Sequence, residues 1–153
     1  MKIVAQRASR AEVSVDGQVV GRLAAPGLVL LVGVTHTDTP ELAAKMAAKI
    51  WGLRILEGGD GVTPEAWSRG DVSASDIDAP LLVVSQFTLY ADTRKGRRPS
   101  WDAAAKADQA QPIFDHFVHT LRALGAHVET GVFGALMEVS LTNHGPVTVI
   151  LEA

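Results

Sequence analysis

Two runs of this chain leave little freedom in its architecture. Gly27–Val34 reads G-L-V-L-L-V-G-V and Leu81–Phe87 reads L-L-V-V-S-Q-F. Both are apolar without alternation and too short for a helix of average length, so each is expected to be a strand buried on both faces. Such strands belong inside a sheet, with other elements covering it.

The rest of the pattern supplies those elements. Lys2–Ala8 and Ala11–Val15 read as strands, and Asp16-Gly17 between alternating runs is a strong hairpin signal. Thr39-Pro40-Glu41 offers an N-cap, a proline at the first helical position and an early acid, with Leu42, Met46, Ile50 and Leu53 following at helical spacing. A second amphipathic helix carries Ile113, Phe114, Phe117, Val118, Leu121 and Leu124 on one stripe and stops at Gly125. Near the end, Gly145-Pro146 interrupts a β-branched run. Proline has no N–H for a sheet ladder, so Asn143–Pro146 is expected to be a turn between strands Leu136–Thr142 and Val147–Glu152, with a candidate cis Gly-Pro bond. No βαβ repeat is visible. The expected fold is α/β, a mixed, mostly antiparallel sheet or partly closed barrel with two main helices on one side.

A chain of 153 residues with 47% hydrophobic content suits one domain spanning 1–153. Residues 58–76, rich in Gly, Ser and Asp without periodicity, are expected to form a flexible insertion in which Trp67 packs the loop down. Met1-Lys2-Ile3-Val4 begins a strand rather than a signal peptide and no apolar run approaches a membrane span, so no membrane partner and a cytoplasmic location are expected.

Chemistry is constrained by what is missing. The chain has no cysteine, which removes thiolate nucleophiles, disulfides and thiolate metal sites together. The five histidines include His116 and His119 three apart on a predicted helix, but no third ligand is near in sequence. Neither a metal nor another cofactor is expected. Gly-x-Ser-x-Gly is absent, and Gly58-Gly59-Asp60-Gly61 lacks the Lys and Ser/Thr of a phosphate loop. What remains is S-Q-F-T at a strand end, where hydroxyls, an amide and free backbone N–H groups gather in a polar rim. Arg94, Lys95, Arg97 and Arg98 around Gly96 form a basic loop suited to phosphate, although the net charge of −3 argues against broad nucleic-acid coating. Either feature is also consistent with a plain role, a satisfied strand end or a solvated charge run.

Taken together, Ser85-Gln86-Phe87-Thr88-Leu89-Tyr90, Asp92-Thr93-Arg94-Lys95-Gly96-Arg97-Arg98-Pro99-Ser100 and Asn143-His144-Gly145-Pro146-Val147-Thr148 resemble the D-aminoacyl-tRNA deacylase family. The resemblance extends to Gln6-Arg7, Val15-Asp16-Gly17, Lys49-Ile50, Leu53-Arg54-Ile55 and Val128-Glu129-Thr130-Gly131. It implies a homodimeric hydrolase that cleaves D-amino acids, and mischarged glycine, from the 3′-terminal adenosine of tRNA. Ser85, Gln86, Phe87 and Thr88 would form the catalytic segment, facing Gly145 and Pro146 of the other subunit. Arg7 would hold that Gly-Pro segment, Met137 would lie beside the substrate adenosine, and Arg94, Lys95, Arg97 and Arg98 would meet acceptor-end phosphates. The base is left between Thr88 and the ribose 2′-OH, with substrate assistance favoured because nothing adjacent in sequence activates a threonine. The chain departs from the common family pattern at His144, at Leu136 and in the length of 58–76.

Overall fold

A computed structural model of the chain describes residues 1–58, 72–94 and 96–153. Its first strand, β1 (Lys2–Val15), turns into β2 (Gln18–Arg22) through Asp16 at φ 49° and Gly17 at φ 75°. Positive φ at both positions is what a two-residue hairpin needs to match the strand twist.

The two continuous apolar runs become β3 (Gly27–Gly33) and β4 (Leu81–Ser85), parallel to each other and buried over nearly all their length. Between them lies helix α1 (Pro40–Trp51), capped by the Thr39 hydroxyl, which accepts from the Leu42 N–H. A short helix α2 (Ala74–Ile77) follows, with Ser73 and Asp76 exchanging side-chain to backbone hydrogen bonds. After β4 a 3-10 turn (Phe87–Tyr90) leads on to helix α3 (Ala107–Ala123), then β5 (Val128–Thr130) parallel to β4 and β6 (Glu138–Glu152) antiparallel to β1. The sheet order is β2-β1-β3-β4-β5, with β6 on the other edge of β1.

The sheet is covered on one face by α1 and α3, whose Met46, Ile50, Phe117 and Leu121 pack on Ile3, Leu30, Leu81 and Val83. On the opposite face the second half of β1, with β2 and β6, curls over β3 and β4, burying Ala8, Val13, Val29, Leu82 and Val84. The curl brings β2 against β5, where a Cβ on Gly21 would sit 2.6 Å from the Thr130 carbonyl oxygen. Only glycine allows that approach, and the sheet is almost a closed barrel. The expected mixed α/β architecture with two main helices is the one observed.

Several expected boundaries change. The two predicted N-terminal strands are one, β1, with irregular register at Gln6/Ala8 and Ala8/Arg10. The two predicted C-terminal strands are likewise one, because both halves of β6 pair with β1 in the same direction. Asn143–Pro146 is therefore a bulge rather than a reversing turn. A bulge frees proline from donating to the ladder, which removes the objection to proline inside a strand. The strand predicted over Leu81–Phe87 ends at Ser85, and Leu124, placed on the buried stripe by its spacing, is 44% exposed because the helix has already ended. Of the segment 58–76, Val72 pairs with Leu56 through two backbone hydrogen bonds and Ser73 caps α2, whereas Trp67 lies outside the described residues.

Phe117, fully buried in the layer between helices and sheet, sets a test of this core. Phe117→Ala is expected to lower unfolding free energy by about 3–5 kcal/mol, read as an earlier urea midpoint.

Candidate active site

The polar end of β4 follows from the change in sequence after four buried apolar residues. Ser85 emerges half-buried, the Gln86 N–H donates to the Val32 carbonyl at 2.8 Å, and the chain tightens into the 3-10 turn. The first N–H groups of such a turn have no partner within it, and Gln86 supplies no side-chain cap. The N–H groups of Phe87 and Thr88 are thus left without a partner inside the turn. Gln86 Nε2 donates to Thr88 Oγ1 at 2.5 Å, fixing both side chains and leaving the threonine proton to donate elsewhere. Among the described residues, no histidine or carboxylate hydrogen-bonds Ser85 or Thr88.

This rim opens on a cavity of about 560 Å³ bordered by Ser85, Gln86, Phe87, Trp101, Phe114 and Met137. That volume suits a small-molecule group of nucleoside size. Phe114 and Phe133 lie 5.8 Å apart behind it, and Phe87 meets Trp101 edge-on at 5.9 Å at the mouth. Phe87 is 58% exposed and Leu136, beside Met137, is 92% exposed, so the mouth is rimmed by uncovered apolar surface.

Trp101 also ties the cavity to the basic loop. Asp92 and Ser100 exchange backbone hydrogen bonds at 2.8 and 3.0 Å, closing the loop just before Trp101. Arg94 is turned inward onto Asp92, with Nε and Nη2 2.9 and 2.7 Å from the two carboxylate oxygens. These hydrogen bonds hold the Asp92 carboxyl down at about 2. Arg97 and Arg98 are exposed, without a partner among the described residues, and are the loop's available cations. Lys95 lies outside the described residues.

A second locus is built around Arg7. Gln6 pairs with Thr148 and Ala8 with Asn143, so the β6 residues 144–147 bulge opposite Arg7. Arg7 is only 3% exposed, and its Nε donates to the His144 carbonyl at 3.0 Å. The Gly145-Pro146 bond is cis. Gly145 stands at φ +115°, and a Cβ there would fall 2.4 Å from Arg7 Nη2, so the guanidinium fills the space that glycine leaves. Asn143 braces the bulge, its Oδ1 accepting from the Val147 N–H at 3.3 Å and its Nδ2 donating to Thr148 Oγ1 at 2.8 Å.

The two loci do not meet within one chain. Arg7 is in register with Leu28 and Leu81, and Ser85 with Val32 and Ile3. Measured along the sheet, Arg7 and Ser85 are separated by roughly 13 Å parallel to the strands and about 10 Å across them, and the bulge on β6 lies one strand further still. Ser85, Gln86, Phe87 and Met137 thus share the cavity, and Thr88 adjoins it in the same turn. Arg7, Gly145 and Pro146 do not line it.

Comparison with known proteins identifies the family. The family model described as D-Tyr-tRNA(Tyr) deacylase matches residues 4–152. The chain belongs to the D-Tyr-tRNA(Tyr) deacylase family. A D-aminoacyl-tRNA deacylase of Thermobifida fusca is 60% identical, with 99% of each chain covered, and that of Cutibacterium acnes is 59% identical over 99% of this chain and 97% of its own. Among solved structures, a c-Myc DNA unwinding element binding protein is 34% identical at a TM-score of 0.88, covering 100% of this chain and 99% of its own. A probable eukaryotic D-amino acid tRNA deacylase, 14% identical at a TM-score of 0.78, shares the fold over 98% of this chain and 97% of its own.

Two parts of these loci had no clear signal in the sequence. Trp101, Phe114 and Phe133 read as ordinary apolar residues, and Glu57, whose Oε1 lies 3.0 Å from Arg7 Nη2, reads as the start of a loop. His116 and His119 join no metal site, since among the described residues no three metal-ligating side chains converge.

Tyr90 closes the 3-10 turn after β4 and gives a pH test. Burial, followed by the charges of Asp38 and Glu152, raises its phenol from 10.0 to about 12. The folded state therefore holds this proton more tightly than the unfolded chain, a stabilisation fully present below pH 10 and lost as pH rises toward 12. As the chain's single tyrosine, it is expected to give one phenolate absorbance transition near 12 when folded, with the urea midpoint falling above pH 10.

Proposed function

We propose that this member of the deacylase family hydrolyses the ester bond of D-aminoacyl-tRNA, and of mischarged glycyl-tRNA, as a homodimer whose sites are shared between subunits. The observation that carries the reading is the separation of two constructed loci in one chain. A donor-rich cavity without a selector and a braced Gly-Pro bulge without a cavity make one site when the bulge of one subunit enters the mouth of its partner's cavity. The uncovered Phe87 and Leu136 around that mouth are the kind of apolar rim a partner covers.

The chemistry follows from the donors. The terminal adenosine occupies the aromatic-walled part of the cavity, near Met137, and the ester carbonyl lies against the N–H groups of Phe87 and Thr88. These stabilise the oxyanion that forms when water attacks, an effect worth on the order of 10²–10³ in rate for one such donor. Among the described residues Thr88 has no base partner, which favours the ribose 2′-OH as the group that assists the attacking water, with Ser85, Gln86 and Thr88 in positioning roles. Release of the 3′-oxygen of the ribose then frees the amino acid.

Selection has to act at the α-carbon, because an enzyme for many D side chains cannot recognise each one. Carbonyl oxygens of the Gly145-Pro146 segment bind the α-amino group and leave no space on the side where an L side chain would project. Glycine, with no side chain to reject, passes the same test. Arg97 and Arg98, at the loop leading to Trp101, then meet acceptor-end phosphates.

Incubation with matched D- and L-tyrosyl-tRNA is expected to release only the D-amino acid, and equal release of both would sink the chiral reading. Replacing Arg97 and Arg98 together by Ala is expected to weaken tRNA binding and to flatten the dependence of log affinity on log salt by about 1.5, with D-selectivity retained. An unchanged slope would remove these arginines from the tRNA interface.

A further inference from the structure

Arg7 is a buried cation, and a buried cation needs a counter-charge as well as hydrogen bonds. Its Nε is satisfied by the His144 carbonyl, and its Nη1 reaches the Ile55 carbonyl only at 3.5 Å. The remaining nitrogen, Nη2, is wedged between two neighbours. On one side is Gly145, where the guanidinium fills the space of the absent Cβ. On the other is Glu57 Oε1, 3.0 Å away. The contact is Coulombic more than directional, since neither atom makes a well-aligned hydrogen bond and both are shut off from solvent. The same carboxylate oxygen stands 3.9 Å from His144 Nδ1, so Glu57 faces the bulge as well as the arginine.

Glu57 is itself held. Leu56, immediately before it, exchanges backbone hydrogen bonds with Val72 at 3.0 and 3.2 Å. A continuous mechanical chain results, from the Leu56–Val72 bridge through the Glu57 carboxylate and the Arg7 guanidinium to the carbonyl of His144 and the α-carbon of Gly145.

We propose that Glu57 is a positioning residue for substrate selection: its charge sets where the Arg7 guanidinium rests, and thereby the direction in which the Gly145-Pro146 bulge presents its carbonyls to the partner's cavity. The proposal rests on the chiral reading above and adds a residue to it. Glu57 touches neither substrate nor the reacting atoms, so removing its charge alters the accuracy of selection more than capture of tRNA, which depends on phosphate contacts elsewhere.

The test compares kcat and KM for D- and L-tyrosyl-tRNA in the unsubstituted protein, Glu57→Gln and Glu57→Asp, alongside thermal midpoints. Glu57→Gln keeps the shape and removes the charge. It is expected to leave KM for tRNA close to that of the unsubstituted protein and to lower the D-to-L ratio of kcat on the order of tenfold or more, the scale at which small misplacements act. Glu57→Asp keeps the charge with a shorter reach and is expected to recover part of the lost ratio. A D-to-L ratio unchanged in Glu57→Gln, whether or not the thermal midpoint falls, assigns Glu57 to the fold alone and overturns the proposal. If Glu57→Gln does not fold, Glu57→Asp decides, a lowered ratio supporting the proposal and an unchanged one overturning it. Equal turnover of D and L by the unsubstituted protein would instead sink the underlying chiral reading, and this inference with it.

Discussion

Everything in this molecule hangs on one strand that is used on both edges. Along one edge of β1, residues 2–8 pair with β3 and residues 12–15 with β2, and along the other β6 follows it from Lys2 to Ser14. No backbone group of such a strand can be moved without disturbing two ladders. The irregularities in its pairing with β6, around Arg7 and Ala8, are therefore informative. They occur where the sheet leaves the helix layer and begins to curl, and where β6 departs from the common register. The same place in one strand sets the curvature of the barrel and the position of the bulge.

The two loci differ in their electrostatics. The cavity is walled by aromatic and aliphatic side chains, with polarity confined to the end of β4 and the backbone donors of the 3-10 turn. The bulge is organised by a buried guanidinium and a carboxylate. The groups at the cavity rim are uncharged and the bulge carries an ionic brace, and within one chain the strands between β6 and β4 separate the two. The basic loop sits elsewhere again, with Arg94 already committed to Asp92 and Arg97 and Arg98 exposed. A chain of net charge −3 can still hold an anion where a few cations are concentrated locally.

Local signals in the sequence carried far. Thr39 and Pro40 marked the start of α1, Asp16-Gly17 marked the hairpin, and the unalternating runs marked β3 and β4, because each depends on residues a few positions apart. The polar rim at Ser85–Thr88 was legible for the same reason. Non-local relations were not. Gly145-Pro146 looked like a reversal because proline and glycine break strands by local rules, and only the pairing of both flanks with β1 shows a bulge. Leu124 kept the helical spacing one residue beyond the helix end, so periodicity placed it wrongly. Glu57 had no local mark at all, since its partner is an arginine on another strand and its own neighbours are glycine-rich.

The bulge has a consequence for how a chain of this kind can change over time. Its extra residues are absorbed between two stretches of β6 that each keep their own pairing with β1, at Gln6 with Thr148 and at Ala8 with Asn143. The ladder on either side is indifferent to what the excess contains, as long as a glycine makes room for the arginine. The side chain at the exposed position 144 is thus free to drift without shifting the barrel, while Arg7 and Gly145 are locked to each other. Variation in what the bulge touches is decoupled from the stability of the sheet that carries it.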